Sequence, residues 1–413
     1  MVDSGDTAWL LISTALVFMM TPAVGFFYGG MLRKESMLSI LGQTIIITAF
    51  VTFIWVIIGY SLAFGPNVGD LGLIGNLDFV MLKDVGADPG SAIFMPTTVP
   101  QLLYMMFQLT FAIITVSLLI GGIAERMKLR SLIILLVVWM MAVYLPVAHW
   151  VWGGGWIFEM GALDFAGGTV VHITAGVSTL AAVMVLGKRI SASNGGEERP
   201  HNIPFVVLGG ALLWVGWFGF NGGSALASNA LAVTAMWNTM LAGSMAAMTW
   251  GIVSWLHLGR PGVLGLISGA VAGLVAITPA AGYVDTTGAM IIGLSAGVIC
   301  YGGILLRKRF KYDDALDVFG VHGVGGTFGA IATGLFATST VNSAVVNEGV
   351  FYGGGLTLLS YQLTAVAVVW AWAFGITFTA IYVLKKVTAI RMTKEEERVG
   401  PDIVQHGEVA YDM

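Results

Sequence analysis

Gly167-Gly168-Thr169-Val170-Val171-His172 opens one long apolar run of this chain, and Phe319-Gly320-Val321-His322-Gly323 opens another. Each histidine follows a valine and is fenced by small residues. An ionisable side chain inside hydrocarbon is costly unless it faces a partner or a cavity, so both are functional-site candidates. Imidazole also gains or loses a proton near neutral pH. One such residue in each half of the chain points to a polar step on a path through a membrane. A core histidine bonded to a neighbouring carbonyl is the alternative, and the matched Val-His contexts argue against it.

The composition around these runs excludes a soluble domain. The chain is 57% hydrophobic and 10% charged, with a mean hydropathy of +0.87, whereas soluble domains carry about 25% charged residues. The net charge of -4 therefore says little about partners. Glycine, 56 of 413 residues, suits helices that pack closely in lipid. Cys300 is the one cysteine, so no intramolecular disulfide forms and redox chemistry is not expected. Met1 to Thr7 is polar and carries Asp3 and Asp6, unlike the basic start of a secretory signal.

Eleven apolar segments are long enough to cross about 30 Å of hydrocarbon, at 7–31, 41–64, 97–123, 131–151, 168–187, 203–222, 233–256, 261–280, 288–306, 319–336 and 355–384. Basic residues follow the odd-numbered spans: Arg33 and Lys34, Arg126 to Arg130, Lys188 to Arg199, Arg260, Arg307 to Lys311, and Lys385 to Arg391. Only Lys83 falls on the other side. The positive-inside rule then predicts an N-terminus outside, a C-terminus in the cytoplasm and a multi-pass plasma-membrane protein. Gly65 to Pro96 reads as a long external loop. The last span, about 45 Å as a helix, requires a pronounced tilt.

Two ordered pairs of matches suggest an internal repeat. Phe27-Tyr28-Gly29-Gly30 ends span one and Phe220-Asn221-Gly222-Gly223 ends span six; Val171-His172 opens span five and Val321-His322 opens span ten. An offset of five spans inverts the second half across the membrane, which places a site near the midplane between halves. The expected division is a membrane domain of 1–384, with repeats at about 7–187 and 203–336 and a last helix at 355–384, followed by a tail at 385–413. The fold class is an all-α membrane protein of eleven helices.

Phe107 and Phe111 stand four apart on one face of span three, and Ala148-His149-Trp150-Val151-Trp152-Gly153-Gly154-Gly155 ends an outward-running span with indoles at the interface. Packing and interfacial anchoring explain most aromatics in such a chain; a Trp face also holds a small cation. With Gly161 to His172, Trp217-Phe218-Gly219-Phe220-Asn221 and Asp317 to Gly323, these segments resemble the ammonium transporter (Amt/Mep/Rh) family over nearly the whole chain. The apolar Phe107 to Phe111 stretch is similar to the Amt/Mep branch rather than to the Rh proteins.

The resemblance implies a role for each matching residue. Phe107, Trp152 and Ser224 resemble an external recruitment site for one ammonium ion, Phe111 and Phe220 resemble stacked rings closing the pore below it, and His172 and His322 resemble a hydrogen-bonded twin-histidine pair. Asp164 resembles the family's buried aspartate near the external site, either holding loop backbone or favouring the cation; a carboxylate at a helix start favours the first role. Trp217 and Thr278 are candidate pore-lining groups. The resemblance further implies a homotrimer with one pore per subunit and a structured C-terminal region that meets a PII-class signalling protein. The tail from Lys394 to Glu408 would by composition alone be disordered.

The chemistry of the residues is consistent with that function. Ammonium only donates hydrogen bonds, so its site needs acceptors and π faces, and potassium of similar size cannot donate. A dry, phenyl-lined passage makes the bare ion costly to carry, by several kcal/mol, while neutral ammonia escapes most of that penalty. A histidine relay could carry the proton separately. A histidine-liganded membrane metalloenzyme is the competing class, but there is no HExxH and no carboxylate in ligand spacing with His172 or His322. No metal, cofactor or nucleic acid is expected. An ammonium sensor signalling through its tail is a third class, and it is compatible with transport. His149 and His257 read as interfacial, Glu125-Arg126 as a structural ion pair, and Asp317 as the cap of span ten.

Overall fold

The computed structural model describes residues 1–89, 97–193 and 199–411. Among them, ten helices are long and apolar enough to cross a membrane: α1 (Ser4–Met31), α2 (Lys34–Phe64), α3 (Gln101–Ile123), α4 (Leu129–Met160, interrupted after Trp152), α5 (Gly168–Leu186), α6 (Ile203–Gly223), α7 (Ala230–Leu258), α9 (Thr286–Phe310), α10 (Phe319–Phe336) and α11 (Thr357–Val387). Helix α8 (Val263–Ile277) is shorter, at 15 residues, because the chain turns at 278–283 where a continuous span to 280 was expected. The expected long loop is irregular from Gly65 to 89, with short 3-10 turns; its final part, 90–96, lies outside the described residues.

Glycine lets the central helices touch. A Cβ on Gly209 of α6 would stand 2.4 Å from the Phe27 nitrogen of α1, so these helices pack backbone to backbone. The same device joins the two histidine helices: a Cβ on Gly176 of α5 would lie 2.1 Å from the Gly323 nitrogen of α10. Both histidine helices begin with a π-helical turn, Gly168–Ile173 and Phe319–Gly323, a widening often found at functional sites.

The face on which the odd-numbered helices end carries a buried ion-pair network. Arg189, just after α5, bonds Glu125 after α3 at 2.7 Å and Asp313 before α10 at 3.0 Å. Arg33 reaches Glu125 at 3.3 Å, and Arg126 donates to the Asp313 carbonyl at 2.5 Å. The expected Glu125–Arg126 pair is thus replaced by separate partners. Glu125 turns back with φ of 67°, toward Arg33, Ser36 and Arg189.

The tail is folded onto this face. A capping box of Thr393 and Glu396 starts helix α12 (Lys394–Val399). Glu397 accepts from the Ile190 nitrogen at 2.6 Å and pairs with Arg391 at 2.8 Å, while Asp402 accepts from the Leu38 and Ser39 nitrogens at 3.0 and 2.6 Å. Composition alone reads this segment as disordered; buried carboxylates on backbone donors hold it.

Candidate functional site

On the opposite face, α3, the end of α4 and the end of α6 bring the aromatic candidates together. Phe107 and Phe111 contact edge to face at 4.9 Å, and Phe111 meets Trp152 edge to face at 5.8 Å. Trp152 is 9% exposed and the three phenyl rings Phe107, Phe111 and Phe220 are buried, so Trp152 is more enclosed than an interface anchor. A Cβ on Gly223, the residue before Ser224, would sit 3.0 Å from the Phe107 ring. The Ser224 hydroxyl donates to the Phe220 carbonyl at 2.7 Å, leaving its oxygen lone pairs as acceptors. Acceptors and π faces are what an ammonium ion requires.

The rings continue inward as a chain. Phe111 lies over Phe220 with centroids 4.2 Å apart; Phe220 stacks on His172 at 6.0 Å, and His172 on His322 at 5.2 Å. The histidine Nδ1 atoms are 3.1 Å apart. One ring must donate Nδ1–H and the other accept, so the acceptor carries its own proton on Nε2. His172 Nε2 has no hydrogen-bond partner. The His172 side chain borders an apolar cavity of about 20 Å³ lined also by Phe27, Tyr28, Leu118, Trp217, Phe220 and His322. That is room for roughly one water-sized molecule and excludes a hydrated ion.

Trp217 stacks on His172 at 5.5 Å and donates its indole N–H to Thr278 Oγ1 at 2.9 Å. Of the two expected lining groups, Trp217 borders the cavity and Thr278 stands behind it as the anchor. Phe27 and Tyr28 border the cavity too, and sequence reasoning did not name them as site residues. The signal was present, since their motif matches the one containing Phe220.

Asp164 is buried at the start of α5 and accepts four backbone N–H bonds: Oδ1 from Gly167 and Gly168 at 2.8 and 2.7 Å, Oδ2 from Thr169 and Val170 at 2.8 and 3.2 Å. Gly167 has φ of 114°, a left-handed conformation that aims these amides at the carboxylate. The Asp164 carbonyl in turn receives the Trp152 indole N–H at 2.9 Å. One residue thus holds both the His172 helix start and the Trp152 ring. Its counterpart before His322 is Asp314, whose Oδ2 accepts from the Phe319 nitrogen at 2.7 Å. This corrects the expectation for Asp317, which turns away at φ of 57° to pair with Arg307 at 3.1 Å. Both capping aspartates stand eight residues before their histidines, a spacing readable in the sequence.

Beyond His322 a funnel of about 840 Å³ opens to the basic face. The remaining histidines lie apart from this path. His149 is buried, with its ring nitrogens 3.0 Å from the Ala63 carbonyl and 2.6 Å from Asn67, and His257 contacts the Tyr301 hydroxyl at 2.6 Å. Among the described residues, no group of three or more His, Cys, Asp or Glu side chains is placed to hold a metal ion.

The Ammonium Transporter Family model matches residues 8–411. An ammonium transporter of Bacillus subtilis (strain 168) is 47% identical over 411 residues, covering 99% of each chain. Ammonium transporter Amt1 of Archaeoglobus fulgidus is 43% identical over 410 residues, 99% of this chain and 100% of that one. The crystal structure of Saccharomyces cerevisiae Mep2 aligns with a TM-score of 0.88 at 34% identity, covering 95% of this chain and 91% of the other. This chain belongs to the ammonium transporter family.

Proposed function

We propose that this protein carries ammonium across the plasma membrane through a pore within each subunit, and that net positive charge crosses. Phe107, Trp152 and Ser224 recruit the cation, with Asp164 positioning Trp152. Phe111 and Phe220 close the passage beneath, His172 and His322 share a proton in the lumen, and Trp217, braced by Thr278, lines it. The carrying observation is the 3.1 Å Nδ1–Nδ1 contact behind the closely packed, tilted Phe111 and Phe220 rings. A hydrogen-bonded imidazole pair beside a cavity for one small molecule lets ammonia and its proton part and rejoin without a hydrated ion in the pore.

The same reading takes the basic face as cytoplasmic and the N-terminus as outside. It divides the chain into inverted repeats at about 7–187 and 203–336, a last helix and a tail at 385–413. Homotrimeric assembly and a PII-class partner at the folded tail complete it; the tail's tethering to Arg33, Ile190 and Ser39 supports a docking surface there. The test is His172→Ala and His322→Ala in reconstituted vesicles. Each should abolish ammonium-evoked charge movement or remove selectivity against potassium. Wild-type currents and selectivity in both variants would refute the role of the pair.

A further inference from the structure

His149 is buried and takes no part in the transport path, yet its hydrogen bonds do not add up for a neutral ring. Nδ1 lies 3.0 Å from the Ala63 carbonyl at the end of α2, and Nε2 lies 2.6 Å from Oδ1 of Asn67 in the external loop. The Asn67 amide nitrogen in turn donates to the Gly154 carbonyl at 3.1 Å. The run Ala63–His149–Asn67–Gly154 therefore begins and ends on carbonyl oxygens. A neutral imidazole offers one N–H and one lone pair, and a side-chain amide offers an oxygen at one end and N–H groups at the other. With Nδ1–H on Ala63 and the amide N–H on Gly154, Nε2 meets an oxygen and needs a proton of its own. Moving the single proton to Nε2 strands the Ala63 carbonyl instead, and turning the amide over sets Oδ1 against the Gly154 carbonyl. Only the doubly protonated ring completes all three bonds.

These bonds tie the external loop to the outer mouth. Gly154, at φ of 81°, lies in the turn that begins directly after Trp152. The loop also receives the Trp156 N–H on the Gly72 carbonyl at 3.2 Å and the Trp150 indole on the Leu73 carbonyl at 2.8 Å. Of these ties, only the one through Asn67 runs by way of a group that titrates. Burial without a counter-ion works against the second proton, and the acceptors on both nitrogens work for it. Among the described residues the ring enters no ion pair. The ionisable groups of the elements packed around it are Tyr60 on α2, Tyr144 on α4, Asp78 and Lys83 in the loop, Glu159 beyond Trp156, and Asp164 and His172 at the start of α5. None bonds the ring: Asp164 is taken up by backbone amides, His172 by His322 and Asp78 by Asn76. The loop sequence carries Asp70 as well. We infer that His149 is a positioning residue of the outer mouth: its second proton closes a clasp from the external loop through Asn67 to the turn after Trp152, so that acid outside tightens the recruitment site and base loosens it. This rests on the transport reading above. The protonated ring makes one bond more than the neutral one, so the clasp is complete at low pH and is lost as pH rises.

The experiment places a nitroxide on Val68→Cys in a Cys300→Ser background, Val68 being exposed beside Asn67 and Cys300 the one native cysteine. Reconstituted protein is titrated from about pH 5 to about pH 8, the range in which imidazole changes charge. Probe mobility should rise with pH in one step. With internal pH fixed, the half-saturating concentration of methylammonium, a cation throughout, should rise over the same step by about two- to tenfold, the worth of one hydrogen bond, at unchanged maximal current. His149→Gln should remove the step from both readouts, and Asp70→Asn should leave it in place. Asn67→Asp, whose carboxylate favours the second proton, should move the midpoint up by about one pH unit or more, and decides the matter if His149→Gln does not fold. A flat probe titration, a step that survives His149→Gln or vanishes with Asp70→Asn, or a midpoint unmoved by Asn67→Asp would overturn the inference. A probe step with unchanged half-saturation would overturn the positioning role. A probe step in a protein that carries no current would overturn the transport reading and leave the clasp standing.

Discussion

Replacing Asp164 with Asn separates holding backbone from attracting a cation. The carboxylate accepts from four buried amides, two on each oxygen. An asparagine keeps one oxygen for Gly167 and Gly168 but turns an NH₂ group toward the Thr169 and Val170 amides, leaving two N–H donors unpaired. Each buried unsatisfied donor costs about 1–3 kcal/mol, so Asp164→Asn should destabilise by about 2–6 kcal/mol. The loss of negative charge at the helix N-terminus adds to this. Because the Trp152 indole is bonded to the Asp164 carbonyl, the damage should also reach the mouth. Thermal denaturation of detergent-purified protein should show a drop of several degrees, and intrinsic tryptophan fluorescence should report a loosened Trp152. An unchanged melting temperature with apparent ammonium affinity alone reduced would refute the backbone-holding role and assign the carboxylate an electrostatic one.

Trp152→Leu keeps bulk but removes most of the π face, worth roughly 0.5–2 kcal/mol for a cation; apparent ammonium affinity should weaken several-fold with folding intact, and an unchanged concentration dependence of the current would reduce Trp152 to a packing residue. On the basic face, burial works to raise the Asp313 carboxyl, but Arg189, bonded to both of its oxygens, and Arg126 hold it at about 2. A depressed folded value gives stability that is present above the unfolded aspartate value of about 3.9 and is lost as pH falls through about 2. Thermal scans from about pH 5 down to about pH 2 should therefore show a loss of stability, and Asp313→Asn should start less stable and lack that step.

Helix positions were legible because hydropathy over some twenty residues is a property of the segment itself; the larger departures are at ends, where α2 starts at Lys34 rather than 41 and α4 continues past its break at Trp152 to Met160. The histidine pair was legible from two matched Val-His contexts, and their meeting follows from glycines at 176 and 323. What escaped depended on neighbours distant in sequence. Asp317 looked like a cap because it is nearer to α10, whereas the chain's turn at that residue gives the role to Asp314. Comparing the Asp164–His172 and Asp314–His322 spacings would have found it. Glu125 and Arg126 are adjacent in sequence but pair elsewhere. The tail is solvated in composition, yet Glu397 fastens it to Ile190 after α5 and Arg33 after α1, and Asp402 fastens it to Leu38 in α2. Its one local sign was the Thr393–Glu396 capping box.

The central claim is that net charge accompanies ammonium through the pore, driven by the membrane potential at about 2.3 kcal/mol per charge per 100 mV. The direct measurement is an ammonium pulse on proteoliposomes under an imposed potassium-diffusion potential, without sodium. The account predicts a current and an uptake rate that follow the imposed potential. Flux that is electroneutral and indifferent to that potential would contradict it and leave a passive ammonia channel.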